Sequence, residues 1–518
     1  MLMIDYRPEP LTNFKAAREE EALAKALAGV QAQLGRDYPI VLGGRACETG
    51  EWIVSRNPSR HSEVVGRAAK ANLALAEQAI QEAHRTFAAW SQVKAEVRAD
   101  VLFKAAAILR RRKHEFSAWM MLEAGKNRVE ADADTAEAID FMEYYARQML
   151  ELDGRGAAKL VHVPGERSQL VYLPLGVGIV IPPWNFPLAI LVGMTTAAVV
   201  AGNTVVVKPS SQTPIIAARF VSLLAEAGLP DGVVQFLPGS GAEIGDYLVA
   251  HKLTRFVSFT GSREVGVHLH KLSAEVQPGQ IWLKRYVGEL GGKDAIIVDE
   301  DADLEEASAG IIASAFGFSG QKCSACSRAI IHHAVYDEVL ERCRVLSEQL
   351  KLGPATDAAS DLGPVIDRAA YRKIVGYIEA GRQEGRLLTG GTYADDIGYY
   401  IAPTIFADVA PGARLMQEEI FGPVLAFTSA GSFEEALQIA NFSDYGLTGA
   451  VYTNNRENIE RAKAAFHVGN LYINRKCTGA TVGVHPFGGF NMSGTDSKAG
   501  GPDYLLLFTQ PKLIAERL

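Results

Sequence analysis

Residues 177–210 read VGIVIPPWNFPLAILVGMTTAAVVAGNTVVVKPS. The run 177–182 is continuously apolar, as a strand buried on both faces is. The run 204–207 is almost wholly β-branched, which also suits a strand. Between them, 188–200 reads as a helix or buried segment. Working outward, 214–227 reads as a helix closed by Gly228. Residues 233–237 form a strand ended by Pro238-Gly239, and 256–259 a strand ended by Gly261. Apolar strands alternating with helices predict an α/β fold, a doubly wound parallel sheet covered on both faces. Dinucleotides bind at the carboxyl ends of such strands.

A second α/β series follows between about residues 290 and 475. Its strand candidates are 294–298, 327–331, 401–406, 424–427 and 449–453. Two series imply two domains with a cleft between them. The segment before the first series reads mostly as helices, over 74–90, 99–116 and 130–147. The second carries the basic run Arg110–Lys113, expected to be a solvated helix face. The third carries Asp132, Asp134, Glu137 and Asp140.

The chain has 518 residues, room for roughly three units, or two large ones, at about 150 residues each. Its 48% hydrophobic and 22% charged residues exclude a mainly disordered chain. Acidic residues outnumber basic ones 60 to 52, so nothing favours a nucleic-acid partner. Cysteines are Cys47, Cys323, Cys326, Cys343 and Cys477. Such a sparse, odd set argues against a disulfide framework and for a reducing compartment. Cys323 and Cys326 form a CxxC, but no second pair completes a metal site. The N-terminus has charges in place of an apolar signal region. The longest apolar run, 188–202, is too short for a membrane span of ~20 residues. A soluble, cytoplasmic protein is expected.

Two strand ends invite a cofactor. Gly239-Ser-Gly241-Ala-Glu-Ile-Gly245 follows a strand, though its last glycine sits one residue late for a dinucleotide fingerprint. Lys208 ends another strand, where a lysine can reach a phosphate or ribose hydroxyl; an ordinary exposed lysine would look the same.

Five further segments carry chemistry: Pro183-Trp-Asn-Phe-Pro187, Phe259-Thr-Gly-Ser262, Glu289-Leu-Gly-Gly-Lys293, Gly320-Gln-Lys-Cys323 and Glu419-Ile-Phe-Gly-Pro423. In this order and at these separations they resemble the aldehyde dehydrogenase superfamily, over roughly residues 35 to 515. Residues 136–145, 320–328, 474–480 and 486–495 resemble one branch of it. That branch oxidises L-glutamate 5-semialdehyde, the open form of 1-pyrroline-5-carboxylate, to L-glutamate with NAD in proline breakdown.

The resemblance implies an aldehyde dehydrogenase-like fold. Residues 1–150 and 174–288 would form the NAD-binding domain and 289–475 the catalytic domain. Residues 151–173 and 496–518 would form a β oligomerisation arm, with a hairpin of 160–164 and 169–173 and a tail strand in 508–518. Residues 476–495 would line the active site. A homodimer or higher homo-oligomer is implied. The length leaves no room for the fused proline dehydrogenase of bifunctional relatives, so a separate proline dehydrogenase is the implied partner.

An aldehyde does not readily give up hydride until a nucleophile makes it tetrahedral, and a thiolate suits that step. By resemblance Cys323 is the nucleophile. The Asn185 amide and the Cys323 N–H would stabilise the oxyanion, and Glu289 would be the base for thioester hydrolysis. NAD would be held by Lys208, Ser262, Glu419, Phe421, Trp184, Ile181, Gly239 and Ser211. Many relatives carry an acidic residue where Ser211 stands. Serine would not repel a 2′-phosphate, so NAD is expected while NADP stays open. The substrate's α-carboxylate would meet Ser324 and the N–H groups of Gly479 and Ala480. Phe186 and Phe487 would sandwich its aliphatic part, with Glu137 and Lys322 in support. Lys322 would either lower the thiol pKa or point to solvent. The competing readings are another semialdehyde dehydrogenase, a cysteine thioester hydrolase, and an inactive protein on this scaffold.

Overall fold

The computed structural model describes residues 5–154 and 160–518. Two seven-stranded sheets organise the chain. The first runs, from one edge, Arg285–Glu289, Thr254–Thr260, Val177–Ile181, Thr204–Val207, Val234–Phe236, Ile40–Leu42 and Arg45–Cys47. Its first five strands are parallel, and Ile40–Leu42 joins Val234–Phe236 antiparallel. Val177–Ile181 lies mid-sheet and is buried along its whole length, which accounts for its unbroken apolar sequence. The chain builds outward from it in both directions, so strand order reverses between Val177–Ile181 and Thr254–Thr260. Parallel sheets hold ligands outside the carboxyl ends of such a switch point.

The second sheet runs Arg386–Thr389, Thr404–Ala407, Val424–Ala430, Cys326–His332, Asp294–Val298, Thr448–Tyr452 and Asn470–Ile473. Only Arg386–Thr389 is antiparallel to its neighbour. Separate apolar clusters lie against each sheet. Both sheets are therefore buried layers between helices, as the alternating pattern predicts. The helix Ala189–Val200 is apolar nearly all round and buried, because it packs between the first sheet and the long helix Arg128–Gly154.

Several elements differ from expectation. Five short strands lie in the N-terminal segment that reads as helical: Arg36–Tyr38, Ile40–Leu42, Arg45–Cys47, Trp52–Arg56 and Val64–Ala69. Too short to show a clear period of two, they take their structure from their pairing partners. The helix expected over 99–116 is two, Ala95–Arg111 and Lys113–Glu123, broken at Arg112 (φ −108°, ψ 20°). The basic run is only partly a solvated face: Arg110 and Arg111 are exposed, as expected, and the other two are not. Lys113 is buried against Asp132 at 3.0 Å, while Arg112 pairs with Glu115 and Glu226. The strand expected over 401–406 is split by Pro403, which has no N–H to give a ladder. Tyr400–Ile401 pairs with Tyr393–Ala394, and Thr404–Ala407 joins the main sheet.

The arm also differs. Glu166–Pro174 pairs antiparallel with Thr509–Arg517 over its whole length, so residues 169–173 meet the tail and not 160–164. Residues 155–159 of the expected arm and 1–4 of the first domain lie outside the described residues. Residues 496–508 do not join the arm either, since Tyr504, Leu505 and Phe508 are buried in the first core. Among the described residues no helix is long and apolar enough to cross a membrane.

Candidate active site

The two sheets face each other with opposite ends. The first presents carboxyl ends at Ile181, Val207, Phe236, Thr260 and Glu289. The second presents amino ends, with Asp294 in register with Cys326 and Thr448 with Asn470. The five motifs meet at this junction.

Pro182-Pro183 follow the Val177–Ile181 strand, and neither proline can donate to a ladder. The chain turns, leaving Asn185 buried with its Nδ2 donating to the Gln321 carbonyl at 3.1 Å. That bond ties the Asn185 loop to the turn two residues before Cys323. Gln321 is itself buried, giving Nε2–H to Phe318 and Pro364 carbonyls and accepting from the Ile366 N–H. Phe318 and Ser319 both adopt left-handed φ, 51° and 53°, a conformation costing roughly 1–2 kcal/mol per residue. Gly320 also has positive φ, and a Cβ there would come within 2.2 Å of the Gly422 carbonyl. A Cβ on Gly292 would come within 2.3 Å of the Cys323 carbonyl. These two glycines explain the motif spacings: the 289–293, 320–323 and 419–423 segments touch backbone to backbone.

Cys323 is a free, partly accessible thiol. Burial raises its pKa well above the ordinary value, and the charges of Asp294, Glu289 and Glu419 add to this, against the Ser324 N–H. Lys322 follows neither expectation. Its ammonium pairs with Glu130 Oε1 at 2.7 Å and is largely buried, so it neither points to solvent nor serves the thiol. Cys326, the other half of the CxxC, is buried at the start of its strand, its thiol donating to the Arg328 carbonyl at 3.5 Å. His485, nearest in sequence to the Phe487 segment, is engaged elsewhere: its Nε2 lies 3.2 Å from Arg475 Nη1.

Glu289 ends its strand opposite Thr260. Burial pushes its carboxyl up to about 8, against the opposing pull of the Ser497 hydroxyl, Lys498 and the Gly489 and Ser497 N–H groups. Oε2 is buried with no hydrogen-bond partner among the described residues. A carboxyl with such a pKa can exchange a proton near neutrality.

The residues expected to hold a dinucleotide line the carboxyl edge of the first sheet. Ile181 and Lys208 end or follow adjacent strands, and buried Gly239 follows the next. Lys208 is buried, its pKa lowered to about 8 by burial alone. Among the described residues its ammonium makes one hydrogen bond, a 3.4 Å contact to the Pro209 carbonyl. A buried ammonium without a counter-ion suits a polar ligand, so the site fits a dinucleotide. Ser262 caps the helix Arg263–Ala274, accepting from the Val265 N–H at 3.4 Å. Ser211 lies exposed on the turn after Lys208. Glu419 accepts the Gly292 N–H at 3.0 Å. The Phe421 ring meets the edge of Trp184, centroids 5.4 Å apart.

The residues expected to bind the substrate are more dispersed. Ser324 is buried, and its carbonyl accepts from the Cys477 thiol at 3.4 Å. Arg475 donates to the Thr478 and Gly479 carbonyls at 3.1 and 3.2 Å. A trans peptide points its N–H opposite its carbonyl, so the Gly479 and Ala480 N–H groups face away from Arg475. Phe186 stacks on the Lys126 ammonium at 4.0 Å. Phe487 exchanges backbone bonds with Ala499. Burial and the charge of Asp134 push the Glu137 carboxyl up to about 8.

Reading the sequence missed four contributors: Lys126, Glu130, Ser497 and Lys498. Glu130, Asp134 and Glu137 stand at i, i+4 and i+7, one face of a helix. That stripe was the available signal for the buried cluster. Ser497 carries no sequence signal.

The fold and motifs have recorded relatives. The aldehyde dehydrogenase family model matches residues 45–514. A curated 1-pyrroline-5-carboxylate dehydrogenase of Geobacillus kaustophilus (strain HTA426) is 61% identical over 511 residues, 99% of each chain. The solved 1-pyrroline-5-carboxylate dehydrogenase from Thermus with bound NAD superposes with TM-score 0.98 at 50% identity, covering 100% of both chains. Proline utilization A (PutA) from Bdellovibrio bacteriovorus gives TM-score 0.97 at 45% identity, over 99% of this chain and 53% of that one. With the family matched across nearly its whole length, the chain belongs to the aldehyde dehydrogenase family.

Proposed function

We propose that this chain is an NAD-dependent dehydrogenase oxidising L-glutamate 5-semialdehyde to L-glutamate, the second step of proline degradation. The relatives named 1-pyrroline-5-carboxylate dehydrogenase support this substrate. One observation of geometry carries the chemistry. Glu289 ends a strand of the first sheet, Cys323 lies just before the Cys326–His332 strand of the second, and Gly292 packs against the Cys323 carbonyl, so close that a Cβ there would come within 2.3 Å of it.

In this reading Cys323 Sγ adds to the aldehyde carbon to form a thiohemiacetal, its proton leaving to a base. The Asn185 amide and the Cys323 N–H face the oxygen that gains charge. NAD, when bound, supplies the acceptor for the two electrons of the oxidation. Lys208 and Ser262 would hold its adenosine and pyrophosphate side, and Glu419, Phe421 and Trp184 its nicotinamide side. A thioester on Cys323 remains. Glu289 then takes a proton from water, whose oxygen attacks the thioester carbon and releases L-glutamate with the thiol restored. Ser324 and the Gly479 and Ala480 N–H groups receive the α-carboxylate.

The Glu166–Pro174 and Thr509–Arg517 ribbon exposes Leu173, Leu513 and Ile514. Apolar side chains exposed on such a ribbon suit assembly into a homodimer or larger homo-oligomer. A separate proline dehydrogenase would supply the substrate, and the cytoplasm is the fitting compartment for a free nucleophilic thiol.

The test is direct. The protein is mixed with NAD and 1-pyrroline-5-carboxylate, and separately with succinic semialdehyde, while reduced cofactor is followed by absorbance. Faster turnover of 1-pyrroline-5-carboxylate is expected. No signal with it and a strong one with succinic semialdehyde would overturn the substrate. Higher kcat/KM with NADP than with NAD would overturn the cofactor preference.

A further inference from the structure

Residues 493–498 run along the end of the strand that carries Glu289. The Leu290 N–H donates to the Ser493 carbonyl at 2.8 Å, and the Thr495 N–H to the Gly288 carbonyl at 2.9 Å. The Gly288 N–H returns a bond to Thr495 Oγ1 at 3.0 Å, and Glu289 bridges Gly494. The backbone on either side of Glu289 is thus pinned to one short segment. Two residues beyond it, the Ser497 hydroxyl donates to Glu289 Oε1, and Ser497 is buried. The other carboxylate oxygen, Oε2, has no hydrogen-bond partner among the described residues.

From this geometry we propose that Ser497 is a positioning residue for the base: it engages Oε1 so that Oε2 alone is presented to the attacking water. The inference rests on Glu289 acting as the base of thioester hydrolysis. A donor to a carboxylate favours its charged form. Without it, the carboxylate would lose its hydroxyl donor and keep only the weaker pull of Lys498 and of the Gly489 and Ser497 N–H groups, so the carboxyl would keep its proton to higher pH. The other groups facing Glu289 are Lys498, which favours the carboxylate, and Cys323, Tyr286 and Tyr504, whose own ionisation its charge opposes.

The experiment compares Ser497→Ala and Ser497→Thr with the unmodified enzyme across pH, with NAD and 1-pyrroline-5-carboxylate. For Ser497→Ala the acid limb of kcat moves up by about one pH unit, which lowers kcat about tenfold on that limb. The first-turnover burst of reduced cofactor persists, because the step that forms the thioester does not use Oε1. Ser497→Thr keeps a hydroxyl donor and keeps the limb in place. Should the alanine variant not fold, Ser497→Cys, a weaker donor of similar size, must give a limb between the two. An acid limb unmoved by loss of the hydroxyl overturns the inference. A uniform loss of burst and turnover at every pH also overturns it, since that marks a merely structural residue. An unmodified protein unable to reduce NAD with this substrate would overturn the functional reading instead.

Discussion

Lys126 Nζ lies 2.9 Å from Asp134 Oδ2 with both side chains fully buried. The same ammonium faces the rings of Phe186, at 4.0 Å, and Phe318, at 4.5 Å. Phe186 adjoins Asn185 on one loop, and Phe318 opens the turn that leads to Cys323 on the other. Asp134 Oδ1 accepts the Ala189 N–H at the start of the helix behind Asn185. One buried ion pair therefore joins the two loops that carry the expected oxyanion donor and nucleophile.

Lys126→Met leaves the loops without their shared cation and leaves Asp134 buried and unpaired. Removing one partner of a buried pair costs ~3–5 kcal/mol. A lower melting temperature and a lower kcat are expected together, with Lys126→Arg recovering part of both. Thermal unfolding monitored by fluorescence checks this; an unchanged melting temperature would show that the pair holds nothing.

The Cys323 thiol, raised well above its ordinary 9.0, is protonated at neutral pH in the cofactor-free protein. Only the thiolate alkylates readily. Iodoacetamide should modify Cys323 more slowly than free cysteine at neutral pH, with a rate still climbing as pH passes 9.0. Peptide mass spectrometry isolates Cys323 from the other four thiols. A rate already level below neutrality would contradict the burial argument.

Glu289→Gln removes the base but not the nucleophile. Turnover should fall by ~10²–10⁴, while one equivalent of reduced cofactor still forms per active site in a rapid-mixing burst. In the unmodified enzyme the base works only when deprotonated. Its kcat should therefore rise with pH and level off above about 8. Loss of the burst in the glutamine variant would assign Glu289 to the earlier step.

Gly479 has φ +79° and lies on the turn proposed to receive the α-carboxylate. Alanine there is strained by roughly 1–2 kcal/mol and would twist the Gly479 and Ala480 N–H groups. KM for 1-pyrroline-5-carboxylate should rise about tenfold, while KM for propanal, which has no carboxylate, stays level. Equal rises for both aldehydes would remove the turn from substrate recognition.

The sequence by itself determined the parallel sheets, because strands such as Val177–Ile181 and Thr204–Val207 are buried on both faces and their apolar runs are local signals. It also marked the proposed site: the motifs around Asn185, Glu289, Cys323 and Glu419 each sit where a strand ends or begins. Their glycines follow from backbone contacts that only small residues permit. What only the tertiary structure decided is what each group touches. Lys322 pairs with Glu130 from a helix far away in sequence, so no local pattern could tell it from a solvent-facing lysine. The tail strand pairs with Glu166–Pro174 over a separation of hundreds of residues, and that register is written in neither strand alone. Ser497 reaches Glu289 because residues 493–498 are zipped against the end of its strand. Hydrogen bonds and burial set the protonation of a carboxyl or thiol, and both come from whatever the fold brings near, not from neighbours along the chain.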